Sequence, residues 1–280
     1  MATITTTTAD FAWRPDESTF APADIVPAAL ILQTSTVSGD INGDQPSLHV
    51  GFVVDAESAE YIAEGAPITD DEPGLDEVLV KTKKVSRLVT LSSEQFDKPE
   101  TATQVALSLA RDIIRKADAS YLGDNGTGGA PMGLLHHTEI VDGDPVAGNL
   151  DALIDLIAVL EQNGATPSAI VTSPPVWAAL RRLKVGGSNT NESLLGAGTT
   201  DATPMLLSLP ILRSRFIPAN SGLVIDKSAI ASAVGPVKTA VSEHAKFAND
   251  AVVLRATWRI GWNLVRPERI GRFVVDEGGS

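Results

Sequence analysis

The sequence has no cysteine among its 280 residues. That excludes disulfides, iron–sulfur clusters and cysteine-ligated zinc, and it fits a reducing compartment. Histidine is scarce too, with only His49, His136, His137 and His244. In an extended chain, neighbours such as 136 and 137 point to opposite sides and do not readily share one metal. Neither a Gly-x-Ser-x-Gly elbow nor a His-Glu-x-x-His pair occurs, which removes two familiar hydrolase sites. The longest apolar runs are short; Leu150–Leu160 is interrupted by Asp155, so no membrane span is expected. The opening Met1-Ala-Thr-Ile-Thr-Thr-Thr-Thr has neither the basic nor the apolar region of a secretory signal.

The most informative shortage is of positive charge near the start. Residues 1–80 hold fifteen acids against one base, Arg14, a net of −14. The other 200 residues hold twenty acids and twenty-one bases, so the whole formal charge of −13 sits in the lead segment. Solubility is one reading of such acidity. The imbalance also argues against broad nucleic-acid binding, which needs a basic surface. The lead segment shows no helical periodicity and no core of its own. It reads as a part made to lie on something else, namely another copy of the same chain.

The rest has an ordinary globular balance, 43% hydrophobic and 20% charged, and its length suffices to bury roughly three-quarters of the unfolded surface. Residues 1–47 are punctuated by Asp16, Pro22, Pro27, Gly39, Asn42-Gly43 and Pro46. They read as an arm with one short helix at most, near Ala28–Leu32. Residues 48–91 read as a long hairpin. Leu48–Val54 leads out and Val78–Leu91 leads back, with an acidic loop between. Alone in water such a hairpin is marginal, so it needs a neighbour.

The clearest helix follows. Asp97 and Glu100 make an acid-type capping box with Pro99 in the first turn. Ala106, Leu109, Ala110, Ile113, Ile114, Ala117 and Tyr121 share one face, and Gly123 ends the helix. An α/β stretch comes next. A helix capped by Asn149 runs through Gln162, Ala169–Thr172 is a buried strand, and a helix from Ser173-Pro174-Pro175 reaches about Lys184. Residues 186–204 read as a flexible loop. Strands are expected at Pro210–Ile217, Leu223–Ile225, Val237–Val241 and Ala251–Val265. No repeats are visible.

The glycine-rich stretch Gly123–Gly133 makes a poor phosphate cradle, because it follows a helix rather than opening one and has no Gly-Lys-Ser/Thr. Asp70, Asp71 and Glu72 lack the glycine-and-acid spacing of a calcium loop and read as a solvated tip. The stronger constellation is electrostatic. Lys81, Lys83, Lys84 and Arg87 cluster on the return strand, after Glu57, Glu60, Glu64, Asp70, Asp71, Glu72, Asp76 and Glu77. The two groups are offset along the hairpin. Stacked copies would set an acidic tip against a neighbour's basic stem, or against Arg111, Arg115 and Lys116 of the long helix. Each exposed pair is worth only about 0–1 kcal/mol, so such pairs set register and partner choice more than affinity. Ordinary solvated faces are the alternative.

The order of parts resembles one known family. Lys83-Lys84-Val-Ser-Arg-Leu-Val-Thr-Leu-Ser-Ser-Glu-Gln-Phe-Asp97 is similar to an extended loop entering a spine helix. Ile114-Arg-Lys-Ala-Asp-Ala-Ser-Tyr-Leu-Gly-Asp-Asn-Gly-Thr-Gly-Gly-Ala-Pro-Met-Gly-Leu-Leu135 is similar to that helix's end and its glycine turn. Phe247-Ala-Asn-Asp-Ala-Val-Val-Leu-Arg-Ala-Thr-Trp-Arg-Ile-Gly-Trp-Asn-Leu-Val-Arg-Pro267 is similar to a long strand returning between domains. Together they resemble the major capsid protein of tailed bacteriophages, the α+β Hong Kong 97-type fold shared with encapsulins.

The resemblance implies four parts: an N-terminal arm over 1–47, an extended loop over 48–91, a peripheral domain over 92–147 and 236–266 with the spine helix, and an axial domain over 148–235 and 267–280. It implies a structural protein without catalytic, metal or cofactor residues. Its copies would assemble through pentamers and hexamers into an icosahedral shell around double-stranded DNA. Implied partners are other copies, a portal, either a separate scaffolding protein or none, and a decoration protein. The implied location is the virion capsid, after assembly in the bacterial host cytoplasm. Some members cross-link through a loop lysine and a strand asparagine. Here no lysine precedes Lys81, and Asp250 and Thr257 stand at the matching strand positions, so no isopeptide bond is expected. Nor is an N-terminal scaffolding segment or its removal. The alternatives are an encapsulin-type compartment and, from another class, a soluble α/β enzyme suggested only by residues 149–184.

Overall fold

The computed structural model describes residues 17–20, 28–41, 45–54, 61–62, 65, 74–184 and 204–276. In chain order its elements are β1 (Glu17–Phe20), α1 (Leu30–Thr34), β2 (Thr36–Asp40), β3 (Ser47–Val54), β4 (Gly74–Ser92), α2 (Ser93–Phe96), α3 (Pro99–Gly123), β5 (Val141–Asp142), α4 (Asp151–Gln162), β6 (Ala169–Thr172), α5 (Pro174–Arg182), β7 (Met205–Leu206), β8 (Leu209–Arg213), β9 (Ser221–Ile225), β10 (Ile230–Val234), β11 (Val237–Lys246), β12 (Ala251–Leu264) and β13 (Ile270–Val274), joined by short 3-10 turns. The loop expected at 186–204 lies almost wholly outside the described residues.

The 14-residue strand β12 organises the first, seven-stranded sheet. One edge pairs with β4 from Ala251 to Gly261. The other edge pairs first with β11 and then with β10, and β1 and β2 extend those two branches. Strict alternation explains its place. Val252, Leu254, Ala256, Trp258, Ile260 and Trp262 face one way and are all buried. Arg255, Thr257 and Arg259 face the other, where Arg255 is exposed and Arg259 is half-buried and donates to the Gln45 carbonyl and to Thr82 Oγ1, each at 3.1 Å.

Helix α3 covers the apolar side. Leu109, Ile113, Ala117 and Tyr121, one residue per turn, are at most 5% exposed, whereas Ala106 is exposed because the helix meets the core one turn later than its apolar face suggests. Its beginning also differs from the capping-box expectation. Ser92 caps the short α2 through the Gln95 N–H, Asp97 closes α2, and Lys98 precedes Pro99 without a side-chain cap. The chain turns between two helices here, so Asp97 serves the first and not the second. At the far end Gly133 packs against the helix terminus. A Cβ there would lie 2.6 Å from the Asp124 nitrogen, and the Gly133 N–H donates to the Asp124 carbonyl at 2.7 Å.

The second, six-stranded sheet runs β5-β13-β9-β6-β8-β7. One face, with Ile170, Val224, Ile211 and Phe273, packs on α4 and α5. The opposite face contributes Val171, Leu223, Ile225 and Ile270 to the same core as α3 and β12. The α/β reading of 149–184 holds locally. Asn149 takes the Asp151 N–H at 3.3 Å from just outside α4, whose cap position is Leu150, and Ser173 caps α5 through the Val176 N–H. The strand expected over Pro210–Ile217 stops at Arg213, and β11 runs five residues past Val241.

The lead segment requires the largest correction. Residues 28–41 do not wait for another copy. Ala29, Leu30, Ile31 and Thr34 are buried against α3, Leu30 N–H donates to Asp118 at 2.9 Å, and Thr34 shares a buried hydrogen bond with Tyr121 at 2.9 Å. Strand β2 then adds to β10 in parallel. The local sequence hid this because three apolar residues in a five-residue helix show no period. Each such side chain still adds about 1.5–3 kcal/mol once covered.

Candidate interaction surfaces

Strand β4 serves two partners. Its first part, Gly74–Lys81, pairs with β3, and from Thr82 onward it pairs with β12. Lys81 is the elbow between them. The elbow is built without free space: a Cβ on Gly261 would run into the Lys81 carbonyl. Thr82 donates to the Gln45 carbonyl at 2.5 Å, Asn263 to the Leu79 carbonyl at 3.0 Å and Arg266 to the Val53 carbonyl at 3.2 Å. A small core of Ile41, Val80, Ala231 and Ala233, flanked by Leu48, Val50 and Val78, seats one face of the β3–β4 ribbon. The other face is open. It carries Val53, Leu75 and Leu79, with Leu75 79% exposed, and a His49–Glu77 contact at 3.2 Å.

The acidic candidates Glu57, Glu60, Glu64, Asp70, Asp71 and Glu72 lie outside the described residues. The basic candidates are all described, and they do not form one cluster. The two-residue period of β4 sends Lys83 and Arg87 toward α3 and Lys84 toward the open sheet face. Arg87 meets Asp112 of α3 at 3.4 Å, and the same carboxylate takes Arg115 at 3.5 Å. Arg111 is exposed one turn earlier, outside the groove between α3 and β4. That groove, about 470 Å³, is lined by Arg87, Arg115, Lys116 and Arg215. Arg215 stands 5.1 Å over the Phe216 ring.

On the open face of the first sheet, Lys84 pairs across to Arg259 and Leu88 to Arg255. Lys238 joins them opposite Thr257, and Leu88 is 59% exposed. Arg215, Arg255, Arg259 and Lys238 were not singled out from the sequence. The two β12 arginines had a usable signal, the polar alternate positions of a long strand. Arg215 had none, since a turn residue reaches the groove only through the packing of both sheets.

The histidine pair behaves as two separate groups. His136 is exposed, and His137 packs at the hairpin root, where burial lowers its pKa and a hydrogen bond to the Met132 carbonyl works the other way. Its Nε2 has no hydrogen-bond partner. Among the described residues no three His, Cys, Asp or Glu side chains are placed to hold a metal, and no helix is long and apolar enough to cross a membrane.

A family model described as the phage capsid family matches residues 28–274. Solved structures of similar fold include the capsid of an empty GTA particle, at 17% identity and TM-score 0.68, covering 88% of this chain and 89% of that one. Another comes from Microbacterium phage Oxtober96, at 14% identity and TM-score 0.67, covering 99% and 96%. A third comes from Mycobacterium phage Adephagia, at 13% identity and TM-score 0.64, covering both chains fully at 100%. No curated protein matches the chain.

Proposed function

The chain belongs to the phage capsid family, and on that footing we propose that its copies assemble through pentamers and hexamers into the icosahedral shell of a tailed, double-stranded DNA phage. It is a major capsid protein with the α+β Hong Kong 97-type fold, a structural protein and not an enzyme. Phage capsid membership takes the place of the encapsulin alternative. The observation that carries assembly is the open β3–β4 ribbon. A two-stranded ribbon with Leu75 and Val53 exposed on one face is marginal in water, and burial on a second copy removes that cost.

The two sides of this contact complement each other. Residues 55–73 hold seven acids and no base, together with Tyr61, Ile62 and Ile68. The open sheet face offers Lys84, Arg255, Arg259 and Lys238 beside exposed Leu88. We place the loop of one copy on this face of a neighbour; Lys81 and Lys83, Arg87 beside α3, and Arg111 and Arg115 on that helix lie on the other side of the sheet, outside this contact. The arm (1–47), extended loop (48–91), peripheral part (92–147, 236–266) and axial part (148–235, 267–280) remain the proposed division. The shared core supports treating the last two as one rigid unit. Portal, separate scaffolding and decoration proteins are proposed partners. Assembly is proposed in the host cytoplasm, without isopeptide cross-linking.

Mass photometry with negative-stain microscopy tests this on the full chain, alone and with its scaffolding protein. Closed shells or capsomers are expected. A chain that stays monomeric in both conditions overturns the reading, and shells that package protein in place of DNA return the encapsulin alternative.

A further inference from the structure

Groove-lining cations remain after the loop contact is assigned. Arg87 comes from β4, Arg115 and Lys116 from α3, and Arg215 from the turn after β8. A second groove of about 250 Å³ continues from it, sharing Val85, Ser86 and Lys116 and adding Lys83 together with the acid Asp124. The one acid lining the larger groove, Asp112, is engaged by two of its arginines. Three separate elements therefore aim cations into one channel, and the Phe216 ring holds the Arg215 guanidinium in place.

A neighbour's loop is a poorer match here than on the open sheet face. That loop mixes acids with Tyr61 and Ile62, which are themselves exposed, and the sheet face sets Leu88 among its cations. The channel's apolar lining is mostly covered, with Ile113 only 1% exposed. What it presents is charge, and three of its four cations are arginines, whose planar forks match paired oxygens.

We propose that the channel between α3 and β4 binds the phosphodiester backbone of duplex DNA, so that each subunit of the shell holds the enclosed genome at one defined point. This rests on the capsid reading. The net charge of −13 opposes DNA binding over the subunit as a whole. A few cations confined to one channel would give a weak, sequence-independent and salt-sensitive hold.

The test uses full-length subunits kept unassembled and a fluorescent 30-base-pair duplex at several salt concentrations. Wild type is expected to bind with a log–log salt slope near −3, for about three to four phosphate contacts at roughly 0.9 each. The double variant Arg215→Glu/Lys116→Glu is expected to bind at least about tenfold more weakly, with the slope reduced by about 2. Arg111→Glu, on the same helix outside the channel, is expected to stay within about twofold. Circular dichroism confirms that each variant is folded. Nucleotide–peptide cross-linking in filled particles is expected to label the peptides carrying Lys116 and Arg215. Equal binding by wild type and the double variant overturns the proposal. So does a synthetic peptide of residues 55–73 that binds the channel more tightly than the duplex does, which would make it a contact between copies. Shell formation by the double variant, seen in negative stain, keeps the capsid reading standing when the DNA proposal fails; subunits that form no shells at all point to failure of the capsid reading.

Discussion

The carboxylate of Asp118, on the spine helix α3, accepts the backbone N–H of Leu30, the first residue of α1, at 2.9 Å. This pair, with the Thr34–Tyr121 hydrogen bond and the β2–β10 pairing, fastens the lead segment to the body of its own chain. Burial raises the Asp118 pKa from 3.8 to about 6, against the opposing pull of that hydrogen bond. Between those two values the native state holds a proton that the unfolded chain has released. The stability this group contributes is therefore full below about pH 4, falls as pH rises through 6, and is gone above it. Asp118→Asn keeps an acceptor and removes the charge. Urea unfolding of unassembled subunits is expected to show the variant more stable than wild type at pH 8, by up to about 3 kcal/mol, with the gap closing toward pH 4. A gap independent of pH would refute the assignment.

Gly261 marks the crossing where β4 leaves β3 for β12. An added methyl group meets the backbone of Lys81 and Thr82, which has no rotamer to yield. Gly261→Ala is expected to cost about 1–3 kcal/mol by overpacking and to loosen the hairpin root. Hydrogen exchange at 78–84 should rise more than at 109–121. Unchanged exchange at the root would show that the elbow absorbs the methyl group.

Arg272 of β13 holds Asp142 with two bonds, at 2.7 and 2.9 Å, and donates to the Leu135 carbonyl at 3.2 Å. It ties the second sheet to the turn after α3. Asp142 is 64% exposed, so losing the ion pair alone costs little. Asp142→Ala is expected to cost under about 1 kcal/mol and Arg272→Ala about 1–3 kcal/mol, since the Leu135 carbonyl also loses its donor. Equal costs in thermal unfolding would place the whole effect in the ion pair.

Trp258 is fully buried and its indole N–H donates to the Gly235 carbonyl at 2.9 Å. Trp258→Phe removes that donor and leaves space. A loss of about 2–4 kcal/mol is expected, read as a lower denaturation midpoint. A loss below about 1 kcal/mol would mean that water reaches the carbonyl.

Much of the framework was legible in the residues. Strand β12 announced itself by alternation from Val252 to Trp262, the spine helix by its four-residue apolar spacing, and α5 by Ser173-Pro174-Pro175. The order of these parts identified the family. These features are local, and a period of 2 or 3.6 survives in any window long enough to show it. The interaction surfaces were only half legible. Lys81, Lys83, Lys84 and Arg87 look like one cluster in sequence, and the pleat divides them between two faces.

Thus the sequence alone determined the hairpin, the long helix and the final long strand in their order, the absence of cysteine chemistry and the concentration of negative charge in the first 80 residues. Tertiary structure decided what those parts meet. Ala29, Leu30, Ile31 and Thr34 carry no periodic signal, yet they are buried because α3 and β10 offer them a groove. Arg215 joins Arg87, Arg115 and Lys116 because two sheets share one core. Contacts between residues a hundred positions apart depend on how elements pack, and packing is settled by shape and buried area over the whole chain rather than by any local pattern.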